Sequence, residues 1–217
     1  MASRLPFDAD GIRYEICGAS DIPDLVRTLA ESFPRRDPLA TAVGLTSDEF
    51  AVFLSAVTGS TAEAGLTIVA RDTSSGAMAG ALLVEDAATP APVDPGAMSP
   101  KFGPIFELLG QLDDDRLPQP GQTLHVFLLG VPEPYGGRGI AHHLVQACLA
   151  NAAERGYRSA IVEASGRVSQ HVFGKLGFVG RALASYGDYH RDGVAVFAAV
   201  ASHGGTLAMV RSLARDA

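Results

Sequence analysis

The sequence predicts a mixed α/β fold in a single domain, a sheet with helices on its faces. Three observations lead there. Strand-like and helix-like stretches alternate from end to end, with no internal repeat between them. The 217 residues are 47% apolar, enough for one sizeable core. The 24 glycines and 13 prolines stay far below the share that would keep a chain disordered.

Taken in order, Ile12–Cys17 alternates and reads as a strand. Ser20 then precedes the stripe Ile22, Leu25, Val26, Leu29 and Phe33, which predicts a helix with a capping serine. Thr46-Ser47-Asp48-Glu49 is a capping box, in which threonine and glutamate satisfy two orphan amides reciprocally. The helix it opens buries Phe50, Phe53, Leu54 and Val57, and Gly59 is expected to close it. Leu66–Arg71 and Ala77–Glu85 read as strands joined by a tight turn.

From Asp86 to Gln122 the character changes, with seven of the thirteen prolines around one predicted helix, Lys101–Leu112. So long an insertion (86–122) in a compact domain predicts a wall or lid over a site. Thr123–Val131 is a near-continuous apolar strand, followed by a Pro/Gly loop and a helix over Gly139–Arg155. Ala160–Ala164 reads as a strand and Arg167–Leu176 as a short helix stopped by Gly177. The last strands are placed at Arg181–Tyr186 and Val194–Ala201, with Asp192-Gly193 turning between them.

Charge and composition exclude several functions. Seventeen basic against 24 acidic residues leave a net charge of −7, and no basic stretch rises against it, so a nucleic-acid groove is not expected. The longest apolar run, Val194–Ala201, is far short of the roughly 20 residues a bilayer needs, and no signal-peptide pattern is visible. A soluble, cytoplasmic chain is therefore expected. Cys17 and Cys148 are far apart without ligand-like neighbours, which argues against a disulfide framework or a thiolate zinc site. His142 and His143 point about 100° apart on a helix, Asp113–Asp115 reads as an exposed acidic helix end, and no metal is expected.

The most informative segment is Leu128-Leu129-Gly130-Val131-Pro132-Glu133-Pro134-Tyr135-Gly136-Gly137-Arg138-Gly139-Ile140-Ala141. Three glycines in four positions follow a buried strand and lead straight into a helix. Glycine lets main-chain amides approach a ligand closely, and the free N–H groups of the helix start complete a site for a pyrophosphate. A Walker loop would end in Gly-Lys-Ser/Thr, whereas here the tripeptide is Gly139-Ile140-Ala141. A dinucleotide loop would follow the first strand of its unit, whereas this one follows the fourth.

At these residues the sequence resembles the GNAT superfamily of acetyl-CoA-dependent acyltransferases, whose signature is Gln/Arg-x-x-Gly-x-Gly/Ala. Gly136–Ala141 matches except at Gly136, which stands where Gln or Arg is usual. Phe173-Gly174-Lys175-Leu176-Gly177-Phe178 is similar to the family's Tyr-x-x-x-Gly-Phe, with Phe173 in place of the tyrosine. Phe33-Pro34-Arg35-Arg36-Asp37-Pro38-Leu39 with Gly44-Leu45 resembles a stretch of the insect-type arylalkylamine N-acetyltransferases within that superfamily. So do Lys101-Phe102, Ser169-Gln170, Tyr186 with Tyr189, and His203.

The resemblance implies a mostly antiparallel central sheet with helices on both faces, and transfer of an acetyl group from acetyl-CoA to a small primary amine. It implies cofactor contacts at Leu129, Gly130, Val131, Gly136, Gly137, Arg138, Gly139, Ile140, Ala141 and Phe173, with the main chain of Leu129–Val131 as oxyanion donor. Asp37 takes the place of the family's catalytic glutamate, with Glu85, Glu163 and His125 in reserve. Because Phe173 has no hydroxyl to donate, Ser169 and Ser165 are the expected proton donors, with Tyr186 and Tyr135 behind them. Ser165 would alternatively cap the following helix. A non-catalytic CoA-binding module is the alternative reading. A homodimer is left open, and neither nucleic acid nor membrane is an expected partner.

Overall fold

The computed structural model describes residues 5–112 and 118–213. The strands are β1 (Phe7–Ala9), β2 (Ile12–Ile16), β3 (Ile68–Asp72), β4 (Met78–Asp86), β5 (Thr123–Gly130), β6 (Ser159–Ala164), β7 (Val179–Ser185) and β8 (Gly205–Ser212). The helices are α1 (Ile22–Ser32), α2 (Pro38–Ala42), α3 (Ser47–Glu63), α4 (Pro95–Met98), α5 (Phe102–Leu109), α6 (Ile140–Glu154) and α7 (Arg167–Lys175).

All eight strands join one sheet in the order β1-β2-β3-β4-β5-β6-β8-β7. Every neighbouring pair is antiparallel except β5 and β6. β4 is buried on both faces, sending Ala81 and Leu83 into one core and Leu82 and Val84 into the other. The first core gathers α1, α3 and the insertion helix α5, and the second gathers α6 and α7. These five helices therefore bury their apolar sides in the two cores that flank the sheet.

Two departures from regular pairing shape the site. The β4–β5 ladder passes from Leu83–Leu128 to Val84–Val126 and skips Phe127. This β-bulge turns Phe127 and Leu128 to the same face, so the strand re-aims its last residues. The parallel pairing of β5 with β6 ends at His125–Ile161, although the strands run on to Gly130 and Ala164. Beyond that point the two are no longer bonded to each other, and a cavity opens there.

The local signals at Thr46 and Gly139 appear as expected. Glu49 accepts from the Thr46 amide at 2.9 Å while its own amide donates to Thr46 Oγ1 at 3.2 Å. α6 starts one residue after Gly139. Several expectations need correction. α1 is entered through a turn at Ala19–Asp21 in which Asp21, not Ser20, takes the Gly18 amide. α3 runs through Gly59, and Gly65, with φ +63°, follows its end. The short helix α2 was not foreseen.

The final strand is misplaced in the sequence reading. Asp192-Gly193 does turn, with φ +51° and +78°, but the turn closes only an isolated bridge between Arg191 and Val194. The apolar run after it buries Phe197 and Val200 as a cap over Tyr186 and Tyr189. Burial alone gives such a run no extended shape. The strand beside β6 is instead Gly205–Ser212. The acidic run 113–115 lies outside the described residues.

Candidate active site

A cavity of about 350 Å³ lies between the open ends of β5 and β6, the N-terminal helices and the insertion helix. Its body is aromatic: Phe33, Phe50, Phe53, Phe102, Phe106 and Phe127 all face it. Its polar groups are few, with Asp37, Ser165 and Ser169 near the strand ends and His125 and Glu163 further down the strands. The insertion thus forms a wall through α5, held by Lys101 Nζ on Glu49 at 2.7 Å and by Tyr189 on Glu107 at 2.6 Å.

Asp37 caps α2. Its Oδ1 accepts from the Ala40 amide at 2.8 Å, and its Oδ2 accepts from the hydroxyl of Ser165. The carboxyl is buried. Burial raises its pKa above the ordinary aspartate value, while Ser165, the amides of Ala40 and Leu39, and His203 pull the other way. The capping role and the cavity-facing role therefore coexist, because the two oxygens point to different partners.

The two serines exchange the parts considered for them. Gly166 is the N-cap of α7, and Ser169 makes the reciprocal pair with it, donating to the Gly166 carbonyl at 2.8 Å and accepting its amide at 3.2 Å. Ser165 is left to bond Asp37. Its own carbonyl takes the Tyr186 hydroxyl at 2.6 Å, and that hydroxyl also pairs with Thr206 at 2.9 Å. Tyr186 is completely buried and its pKa is raised by that burial, so it holds Ser165 in place and is not an accessible acid.

His203 ends the short 3-10 turn Ala198–His203. Its Nδ1 is buried with no hydrogen-bond partner among the described residues, it sits against Gly166, and it acts electrostatically on Asp37. Only its place among the residues resembling the insect-type enzymes pointed to it. His143 meets the Tyr14 hydroxyl at 3.2 Å. Cys17 and Cys148 are buried and free, and burial pushes their thiols up to about 11 and about 12. At those values neither is a nucleophile.

Glu85, His125 and Glu163 come from three adjacent strands. His125 Nδ1 meets Glu85 Oε1 at 2.9 Å and Nε2 meets Glu163 Oε2 at 2.7 Å. Burial opposes a charge on the imidazole, but Glu163 first and then Glu85 outweigh it and raise the pKa to about 10. Burial likewise favours a protonated Glu163, and His125 outweighs it and lowers that pKa. The histidine is a held cation, unsuited to serve as a base near neutral pH.

The glycine loop ends in amides free to bind. Gly136 N–H already donates to the Glu133 carbonyl at 2.9 Å. From Gly137 to His142 no amide has an acceptor among the described residues, and the first bond of the helix runs from His143 to Gly139. Gly137 and Gly139 have φ of +76° and +75°, which a side chain rarely tolerates. Converging donors at a helix start suit a pyrophosphate. Arg138 turns away to the Asp10 carbonyl and lies over the Tyr135 ring.

Residues 107–178 match the acetyltransferase (GNAT) family. The fold is that of the GNAT acetyltransferases. No curated protein matches the chain in sequence. Among solved structures, the C-terminal condensation domain of Ebony in complex with beta-alanyl-dopamine superposes with a TM-score of 0.83 at 19% identity, covering 93% of this chain and 98% of that one. Arylalkylamine N-acetyltransferase 2 from Aedes aegypti gives 0.73 at 21% identity, covering 94% of this chain and 100% of that one. The Drosophila melanogaster polyamine N-acetyltransferase gives 0.71 at 19% identity, covering 93% and 99%. At these identities the likeness is one of fold.

Within this GNAT fold, the remaining sequence-predicted residues fall as follows. Leu129 lines the cavity, and Val131 packs into the second core. A Cβ on Gly130 would come within 2.6 Å of Ser32 Oγ, so glycine there lets α1 lie against the end of β5. Ile140 is buried at the foot of α6. Phe173 borders the cavity, is only 2% exposed and meets Phe178 edge-on. No helix among the described residues is long and apolar enough to cross a membrane.

Proposed function

We propose that the chain is an N-acyltransferase that moves the acetyl group of acetyl-CoA directly onto a small primary amine, in the narrower form an arylalkylamine. The observation that carries this reading is the Asp37–Ser165 pair, buried in the wall of an aromatic cavity at the open end of β5. Structural neighbours named for arylalkylamine, agmatine and polyamine acetylation, and one bound to beta-alanyl-dopamine, support an amine as acceptor.

Acetyl-CoA, when bound, supplies the activated acyl group. The amides of Gly137, Arg138, Gly139, Ile140 and Ala141 would hold its pyrophosphate, with Gly136 shaping the entry and Phe173 bordering the acyl end. An amine arrives mainly as ammonium, and Asp37 accepts the proton that must leave before attack. Its raised pKa brings it closer to that task than an exposed aspartate. The main chain at Leu129–Val131 faces the developing oxyanion. The C–N bond forms as the C–S bond breaks; Ser169 or Ser165 gives a proton to the departing thiolate, in place of the tyrosine that Phe173 replaces, and takes one back from the newly acylated nitrogen, while Asp37 releases its proton to solvent.

The test is thiol release and acetylated product with acetyl-CoA against a panel of primary amines. Amine-dependent release is expected. Tight cofactor binding with no release for any amine would instead identify a CoA-binding module without catalysis.

A further inference from the structure

The cluster of Glu85, His125 and Glu163 is not used by the proton steps proposed above, yet it is expensive. Two carboxyl groups flank one imidazole, so acceptor oxygens outnumber the ring's donors in a largely apolar surrounding. Buried polar clusters of this kind usually stabilise a fold less than well-packed apolar residues would. Where the unused acceptor is directed is therefore informative.

It is not directed inward. Glu85 is closed on both sides, with Oε1 on His125 and Oε2 taking the Ala91 amide of the insertion at 3.1 Å. Glu163 Oε2 pairs with His125, its own main-chain amide also acts on the carboxyl, and no second side chain among the described residues bonds it. Its side chain is 26% exposed and faces the cavity, whereas Glu85 does not line it. Acceptor capacity that no second side chain uses therefore faces the cavity.

Position along β6 says which part of the guest it meets. Ser165, at the Asp37 end, and Glu163 both face the cavity, two residues apart, or about 7 Å along the strand. The reacting nitrogen belongs beside Asp37. We infer that Glu163, braced by His125 and Glu85, selects amines that carry a second hydrogen-bond donor at the end remote from the reacting nitrogen. The aromatic walls, Phe53, Phe102, Phe106 and Phe127, hold the apolar body between the two ends. The donor is a phenolic hydroxyl or a second cationic nitrogen. This selectivity rests on the acetyltransferase reading for the placement of the reacting end.

The experiment uses two matched pairs, tyramine with phenethylamine and 1,4-diaminobutane with butylamine. Binding is measured by calorimetry in the presence of CoA, and kcat/KM by thiol release. A hydrogen bond to a charged group predicts that the donor-bearing member of at least one pair binds about tenfold more tightly or better. The pair that discriminates identifies the donor. Glu163→Gln should shrink that ratio to within about threefold, a comparison internal to one protein sample. Should that variant not fold, Glu163→Asp draws the carboxylate back by one methylene, and the ratio should shrink likewise.

Equal binding within both pairs by wild-type protein, or an undiminished ratio in the variant, overturns the inference. If equal binding comes with normal turnover, acetyl transfer stands and only this selectivity falls. A clear binding preference without thiol release overturns acetyl transfer and leaves the donor site standing. Failure of all four amines to bind overturns the inference as well.

Discussion

Replacing Asp37 separates its two jobs. As the N-cap of α2 it accepts the Ala40 amide, and as the proposed base it faces the cavity beside Ser165. Asp37→Asn keeps an oxygen for the cap, since asparagine caps about as well as aspartate. Its amide nitrogen then faces the Ser165 hydroxyl, which can rotate to accept. Stability should change by less than about 1 kcal/mol, because the lost charge was itself disfavoured by burial. Asp37→Ala loses the cap, worth about 1 kcal/mol. It also leaves the Ser165 hydroxyl without its acceptor, costing about 1–3 kcal/mol. Relief of the buried charge offsets part of this, so a net loss of about 1–3 kcal/mol is expected.

Both variants remove the proposed base and should lower kcat by roughly 10²- to 10⁴-fold. Their Kd for CoA should stay near that of wild type, because the glycine loop is untouched. Urea unfolding, CoA calorimetry and steady-state thiol release measure the three quantities separately. An Asp37→Asn protein that is stably folded, binds CoA and turns over within about threefold of wild type would refute the base assignment. Loss of activity only in Asp37→Ala, in step with its stability, would reduce Asp37 to a cap.

Three further outcomes follow from the same geometry. Gly139→Ala forces a side chain into φ +75°, at a cost of about 1–2 kcal/mol, and CoA affinity measured by calorimetry should fall tenfold or more as the amides lose their alignment. Gly205→Ala would put a Cβ within 2.2 Å of the Ala184 carbonyl oxygen, so urea unfolding should show a loss of at least about 1–3 kcal/mol, with β7 and β8 forced apart. His125 has its folded pKa raised from near 6.5 to about 10, so its contribution to stability is complete below the unfolded value and is lost as pH rises through about 10. The melting temperature of wild type should therefore drop between pH 8 and pH 10 more steeply than that of His125→Gln.

The glycine loop and the Thr46 box could be read from the sequence because each is closed by hydrogen bonds or backbone angles within a few residues. The helices α1, α3 and α6 were readable for a related reason, since burial on one side imposes a period that survives in the sequence. Val194–Ala201 misled because apolar character records burial without recording shape, and the run covers two tyrosines as a turn instead of pairing as a strand. Gly205–Ser212 was missed because its place between β6 and β7 is set by partners distant in the chain.

The sequence by itself determined that a glycine-rich loop joins a buried strand to a helix start, and its resemblance to the GNAT enzymes put Asp37 and two serines forward as proton carriers. Tertiary structure alone decided that Asp37 meets Ser165 across 128 positions, that Ser169 rather than Ser165 completes the start of α7, and that His203 lies against Gly166 beside them. It also decided that Glu85, His125 and Glu163 form one charged row across three strands. The physical reason is range. Periodicity and capping act over a turn or two of chain, whereas cross-strand contacts depend on sheet order and on where β5 and β6 cease to pair.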